Sequence, residues 1–123
     1  VMGTPFTVTV DRRDADLAVI TVAGELDALS APALTSTIAA EIHDGRIRLI
    51  LDAARIQFCD SQGLWVLIQA MRKTAAAGGS FRLAAPAPGL RRLLTVTHVA
   101  DAFPIDTDVV ASLDAESRPP EQP

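Results

Sequence analysis

A single cysteine, Cys59, occurs among the 123 residues of the chain. An intrachain disulfide is therefore excluded, and a reducing cytoplasm is the expected compartment. Aromatic residues are scarce, with four phenylalanines, one tryptophan and no tyrosine, so the apolar share of 49% rests largely on alanine and the branched aliphatics. No basic cluster exceeds a pair, and the formal net charge is −4. That balance argues against direct binding of a nucleic-acid backbone, while leaving an indirect role in gene control open. No apolar run approaches the ~18 residues of a membrane span, even around Ile47 to Leu51, so no membrane association is expected. The N-terminal segment alternates without a charged lead and apolar block, and no cleavable signal is expected in it. The length suits one domain with one core.

What is present reads as alternating strands and helices. Phe6, Val8 and Val10 alternate with threonines, and after the polar turn Asp11 to Asp16 the run Leu17 to Val22 is again rich in β-branched residues, which predicts a hairpin. Ser30, with Pro32 just behind it, marks a helix start carried on by Leu34, Ile38 and Ile42 and stopped at Gly45. Arg48 to Asp52 predicts a strand buried on both faces, followed by a loop. Leu64, Leu67, Ile68 and Met71 then recur at helical spacing, with Asp60 placed to cap the helix from Ser61 and Gly78-Gly79 placed to stop it. Phe81 to Ala85 predicts another strand, and Leu90, Leu93 and Leu94 outline a short helix. Phe103 to Ile105 is a candidate edge strand, with Asp106 or Thr107 capping a last helix through Val109, Val110 and Leu113. The expected fold is α/β, a small mixed sheet made of the hairpin plus parallel strands, packed with about four helices. One domain is expected over residues 6–116, with a disordered tail over 117–123 that holds three prolines and no large apolar side chain.

The candidate site is Asp60-Ser61-Gln62-Gly63, because in open α/β sheets sites collect beyond the carboxyl ends of the strands. Asp-Ser before an apolar stripe is in the first place helix-capping chemistry. A hydroxyl at the first helical position is also suited to phosphorylation. A phosphate there would gain from the dipole and free amides, and would add about −1.5 to −2 charge beside Asp60. The fold should survive while a docked surface is repelled.

Gly24-Glu25-Leu26-Asp27 after the second strand, followed by Leu49 to Leu67 with its Asp-Ser and Gly-Leu, resembles the STAS domain of bacterial anti-sigma-factor antagonists over about Phe6 to Leu113. The resemblance implies a non-enzymatic partner-switching protein of transcriptional stress control, needing no cofactor. Its unphosphorylated form would bind an anti-sigma factor that is also a serine kinase of the histidine-kinase-like ATPase type, freeing a sigma factor. By the same resemblance Ser61 is the phosphoacceptor, with Asp60 before it and Asp27 at the acidic position of the first loop; together with Gln62, Gly63 and Trp65 around Ser61 they are the expected partner-binding set. Two positions depart from the family pattern: Gln62 replaces a second small hydroxyl residue, and Trp65 stands where a small residue is common. Trp65, four residues after Ser61, lies at the flank of the apolar stripe, and is read here as a partner-surface residue rather than as core.

Cys59 carries two readings, a buried inert thiol and a redox input favoured by its place just before a helix start. His43 and His98 lack ligand spacing, so no metal site is expected. No glycine-rich phosphate loop and no nucleophile elbow around Ser61 occur. Arg91-Arg92 reads as a solvated helix face. The rival class is a response-regulator receiver phosphorylated on Asp52, at the end of Leu49-Ile50-Leu51. It lacks an acidic pair after the first strand, and the only lysine, Lys73, falls inside a helix. Within the resemblance, a scaffold or nucleotide-binding module regulated through Cys59 is the other alternative. Oligomeric state is left open.

Overall fold

The computed structural model describes residues 5–117. The elements run β1 (Thr7–Arg12), β2 (Leu17–Leu26), α1 (Ala31–His43), β3 (Arg48–Cys59), α2 (Ser61–Ala76), β4 (Ser80–Ala84), α3 (Pro88–Val96), a 3-10 turn (Val99–Asp101), β5 (Ile105–Asp106) and α4 (Val109–Ser117). The five strands lie in the order β1-β2-β3-β4-β5, with β1 antiparallel to β2 and every later pair parallel. This is the expected hairpin-plus-parallel sheet with four helices.

Two-residue alternation decides which element covers which face. In β2, Ala18, Ile20 and Val22 point to the face that packs against Leu34 and Ile38 of α1, Leu64 and Leu67 of α2, and Leu90 and Leu94 of α3. Leu17 and Val19 point to the other face, where with Ile50 and Ala84 they meet Val109 and Leu113 of α4. β3 is buried from both sides at Leu49, Ile50 and Leu51, which is why that run carries no polar residue. Phe81 and Phe103 meet edge to face, with ring centroids 5.0 Å apart. α4 is held down by Glu116, whose carboxylate accepts from Arg48 Nε (3.0 Å), Ser80 Oγ (2.9 Å) and Arg82 Nε (2.6 Å). Among the described residues no helix is long and apolar enough to cross a membrane.

Several boundaries differ from expectation. The loop expected after Asp52 is strand: β3 runs on to Cys59, still paired with β2. Two register shifts, between Thr21 and Ala23 and between Gly24 and Glu25, insert extra residues into β3, and Gly24 takes φ +96° there. Inward positions consequently fall at every third residue, Ala53, Ile56 and Cys59, a period that signals neither strand nor helix. β4 stops at Ala84 because Ala85 adopts φ +56°. The edge strand is Ile105–Asp106 rather than Phe103 to Ile105, since Phe103 turns into the core. Asp108, not Asp106 or Thr107, caps α4 by accepting from the Ala111 amide at 2.8 Å. Asp106 instead accepts from Ser112 Oγ at 2.6 Å. Ser117, assigned to the tail, is the last residue of α4, and the rest of that tail, 118–123, lies outside the described residues.

Candidate functional site

Parallel pairing brings the two candidate loops together. The β2/β3 ladder ends with Leu26 opposite Cys59, so the next residue of each strand, Asp27 and Asp60, leaves the sheet at the same edge on neighbouring strands. The Asp60 amide donates to Leu26 O at 3.2 Å, tying the start of α2 to the end of β2.

Asp60 is extended (φ −102°, ψ −170°), and its Oδ1 accepts from the amides of Gln62 (2.9 Å) and Gly63 (3.0 Å). Its carbonyl accepts from the Leu64 amide at 3.0 Å. Three of the first four helix amides are thus already satisfied by one residue. This corrects the expectation that a phosphate on Ser61 would find free amides: the cap occupies them. The Ser61 side chain is exposed, with no hydrogen-bond partner among the described residues, on a helix start whose backbone is fixed independently of it. Gln62 beside it is exposed as well.

Gly63 is a correction to the partner-binding set. It is buried, and a Cβ there would stand 2.6 Å from both Leu26 O and Cys59 Sγ. Glycine is needed for α2 to approach β2, so Gly63 shapes the site from beneath and offers no contact surface.

Asp27 organises the neighbouring loop. Its Oδ1 accepts from the amides of Leu29 (3.0 Å) and Ser30 (3.1 Å), and its carbonyl from the Ala31 amide (2.8 Å). Ser30, expected to cap α1, makes no side-chain cap and donates its hydroxyl to Glu25 O at 2.7 Å. Asp27 is half-buried and Glu25 exposed. The edge therefore carries three carboxylates, Glu25, Asp27 and Asp60.

Trp65 is 50% exposed, with the Arg72 guanidinium 5.4 Å from its ring centroid. It lies outside the buried core, on the wall of a groove of about 410 Å³ between α1 and α2 that Ala31, Pro32, Thr35 and Gln62 also line. Sequence reasoning missed two exposed apolar side chains at this edge, Leu29 (93%) and Phe58 (52%). Leu29 follows Asp27 closely enough to have been suspected, whereas Phe58 was hidden by the broken alternation of β3.

Cys59 is buried against this cluster, and its thiol donates to Asp60 O at 3.5 Å. Burial, reinforced by the Asp60 charge, pushes the thiol up to about 12. Burial thus opposes the thiolate stabilisation expected from the helix start, and the thiol lies buried behind the site. The receiver reading fails on geometry. Asp52 lies within β3 rather than at its end, paired between Thr21 and Ala84, and its Oδ1 is engaged by the Ala54 amide at 3.1 Å. Lys73 is in the last turn of α2, at the far end of that helix from the site.

Comparison with known proteins agrees with this architecture. A family model for the STAS domain matches residues 8–112. The chain is 25% identical over 97 residues to the putative anti-sigma factor antagonist BtrV of Bordetella bronchiseptica, covering 79% of this chain and 83% of that one. The crystal structure of an anti-sigma factor antagonist from Mycobacterium paratuberculosis superimposes with a TM-score of 0.81 at 31% identity, covering 90% of this chain and 93% of that one. The anti-sigma factor antagonist SpoIIAA in its unphosphorylated form shares the fold, with a TM-score of 0.79 at 22% identity over 89% of this chain and 96% of that one.

Proposed function

The chain belongs to the STAS-domain family of anti-sigma-factor antagonists, and from that premise we propose that it is a partner-switching protein controlled at Ser61. In the unphosphorylated state the edge formed by Asp27, Asp60, Gln62 and Trp65 binds an anti-sigma factor that is also a serine kinase of the histidine-kinase-like ATPase type, and a sigma factor is released. The kinase moves the γ-phosphoryl group of ATP to the Ser61 hydroxyl, leaving ADP, and the complex parts. The protein needs no catalysis and no cofactor of its own, acts in the cytoplasm and serves a stress response.

The observation that carries this reading is the exposed Ser61 hydroxyl on a helix start already capped by Asp60. A phosphate added there lacks the amides that would absorb it and sits beside a carboxylate, so about −1.5 to −2 charge is presented outward. The fold keeps its cap, and the docked surface meets the new charge. Gln62 leaves Ser61 as the one hydroxyl at the helix start, which makes the switch a single event.

The test is intact mass and site mapping after incubation with ATP, Mg²⁺ and anti-sigma kinases from the source organism, with Ser61→Ala as control. A phosphoryl group on Ser61, absent from the variant and accompanied by loss of kinase binding, is the expected result. Binding that is indifferent to phosphorylation, or modification at another residue, would overturn the switch.

A further inference from the structure

α1 and α2 are the crossovers between parallel strands, β2 to β3 and β3 to β4, so they run the same way, side by side on one face of the sheet. Pro32, Thr35, Ala39 and Ile42 share one side of α1 at helical spacing, and Gln62, Trp65, Lys73 and Ala76 share one side of α2. These two sides flank a furrow. Its first part is the groove of about 410 Å³ beside Trp65, and its second is a groove of about 490 Å³ between the ends of the two helices, lined by Ala39, Ile42, His43, Lys73 and Ala76. From Pro32 to His43 the furrow is about 16 Å long, or roughly three helical turns.

Neither helix shows a carboxylate to solvent. Glu41 is the only acid in the two helices, and it is buried and held by Arg12 and Arg46. The charged or titratable side chains that line the furrow are Lys73, the one lysine of the chain, and His43, both exposed. Among the described residues neither side chain has a hydrogen bond or an ion pair. Arg72, next to Lys73, lies over the ring of Trp65. The acids that flank the two helices in sequence are engaged elsewhere: Asp44 is paired with Arg46, Asp27 accepts from the amides of Leu29 and Ser30, and Asp60 from those of Gln62 and Gly63. None of the three lines the furrow. Carbonyls of the last turns, those of Ala40, Glu41 and Ile42 in α1 and of Lys73, Thr74 and Ala75 in α2, already accept from the amides that follow, which mutes the negative ends of the helices. The furrow is therefore basic in a chain of net charge −4.

We propose that the furrow binds an amphipathic helix of a partner protein whose apolar stripe is bordered by carboxylates. A furrow is filled by a ridge, and a single helix supplies one, whereas two copies of this face would meet furrow to furrow. Thr35, Ala39 and Ala76 are small enough for the partner backbone to come close, Trp65 and Ile42 supply apolar area, and the partner's carboxylates meet Lys73 as charge-assisted hydrogen bonds. The near end of the furrow adjoins the Ser61 edge, but Ser61 lines neither groove. Docking along the furrow needs neither ATP nor phosphate, so it stands or falls independently of the switch.

The test selects binders to the full chain from a library of single-helix peptides randomised on one face, and maps the tightest by amide chemical shifts. Selected peptides are expected to carry aspartate or glutamate beside an apolar stripe, and to shift Ala39, Ile42, Trp65, Lys73 and Ala76. With melting temperatures checked to be unchanged, Ala39→Glu should weaken binding about tenfold and Lys73→Gln about threefold. Lys73→Glu should regain affinity for a peptide whose carboxylates are replaced by lysine. Ser61→Ala should bind as the unaltered chain does, so a serine that no kinase modifies leaves this result standing. Failure to select any peptide, binders without carboxylates, shifts elsewhere, or indifference to both Ala39→Glu and Lys73→Gln would overturn the proposal. So would self-association in sedimentation that Ala39→Glu abolishes, since the occupant would then be a second copy of this chain.

Discussion

Gly63 sets the depth at which α2 docks on the sheet. With a Cβ 2.6 Å from a backbone carbonyl, Gly63→Ala must displace either the helix start or β2. A loss of about 1–3 kcal/mol in urea unfolding is expected, together with weaker partner binding because Ser61 moves with the helix. Trp65→Ala makes the opposite prediction. A side chain 50% exposed contributes little to the core, so stability should change by less than about 0.5 kcal/mol. Partner affinity should fall about tenfold under the proposed interface. A drop in melting temperature matching the drop in affinity would return Trp65 to the core. Cys59 should resist iodoacetamide in the native protein and react only on unfolding, as burial has pushed its thiol up to about 12. At this scale the Asp60 cap and the exposure of Ser61 could be read from residue order alone, since capping is local chemistry. The burial of Gly63 and Cys59 could not, because Leu26, the residue that encloses them, lies more than thirty positions away in the chain.

Among the elements, α4 depends most on a few polar contacts. It is nine residues long, covers one sheet face through Val109 and Leu113, and is pinned by the three donors to Glu116. Glu116→Ala removes one carboxylate from Arg48 and Arg82, which keep Asp16 and Asp106, and frees the end of α4, and should cost about 1–2 kcal/mol. Hydrogen exchange should localise the loss, with α4 amides losing protection well before those of β3. The elements most legible beforehand are α2, whose burial follows the helical period, and β2 and the first half of β3, whose unbroken apolar runs match strands buried from both faces. β3 beyond Asp52 was read as a loop because its bulges spread the inward residues to every third position. β5 was displaced because Phe103 joins the core from outside any strand. Both misses have one cause: a partner strand, not local pattern, decides where such residues face.

For the whole molecule, one buried carboxylate, Glu41, and one half-buried carboxylate, Glu116, link folding to pH. Arg12 holds the Glu41 carboxyl below its ordinary value of 4.5 by a hydrogen bond that, with Arg46, outweighs burial. Burial works against the charge of Glu116 as well, but hydrogen bonds from Arg82, Ser80 and Arg48 prevail and its carboxyl is also lowered. Groups with lowered folded values contribute stability that is complete above their unfolded values, near 4.5, and lost as pH falls through the folded ones. Urea midpoints should therefore be level near neutrality and decline progressively below about pH 4.5. Glu41→Gln should flatten that decline while lowering stability at neutral pH. Unaltered acid sensitivity in that variant would assign the decline elsewhere. At the same scale the residue order was enough for the strand and helix sequence, the mixed sheet, the helix start at Ser61 and the net acidity, because periodicity, caps and charge are properties of neighbouring residues. It was not enough for the adjacency of Asp27 and Asp60, the close contact that demands Gly63, the raised thiol of Cys59, or the groove beside Phe58 between β3 and α3. Each of those depends on the register between strands and on how far one strand outlasts the next, which are set only when segments distant in the chain pack against each other.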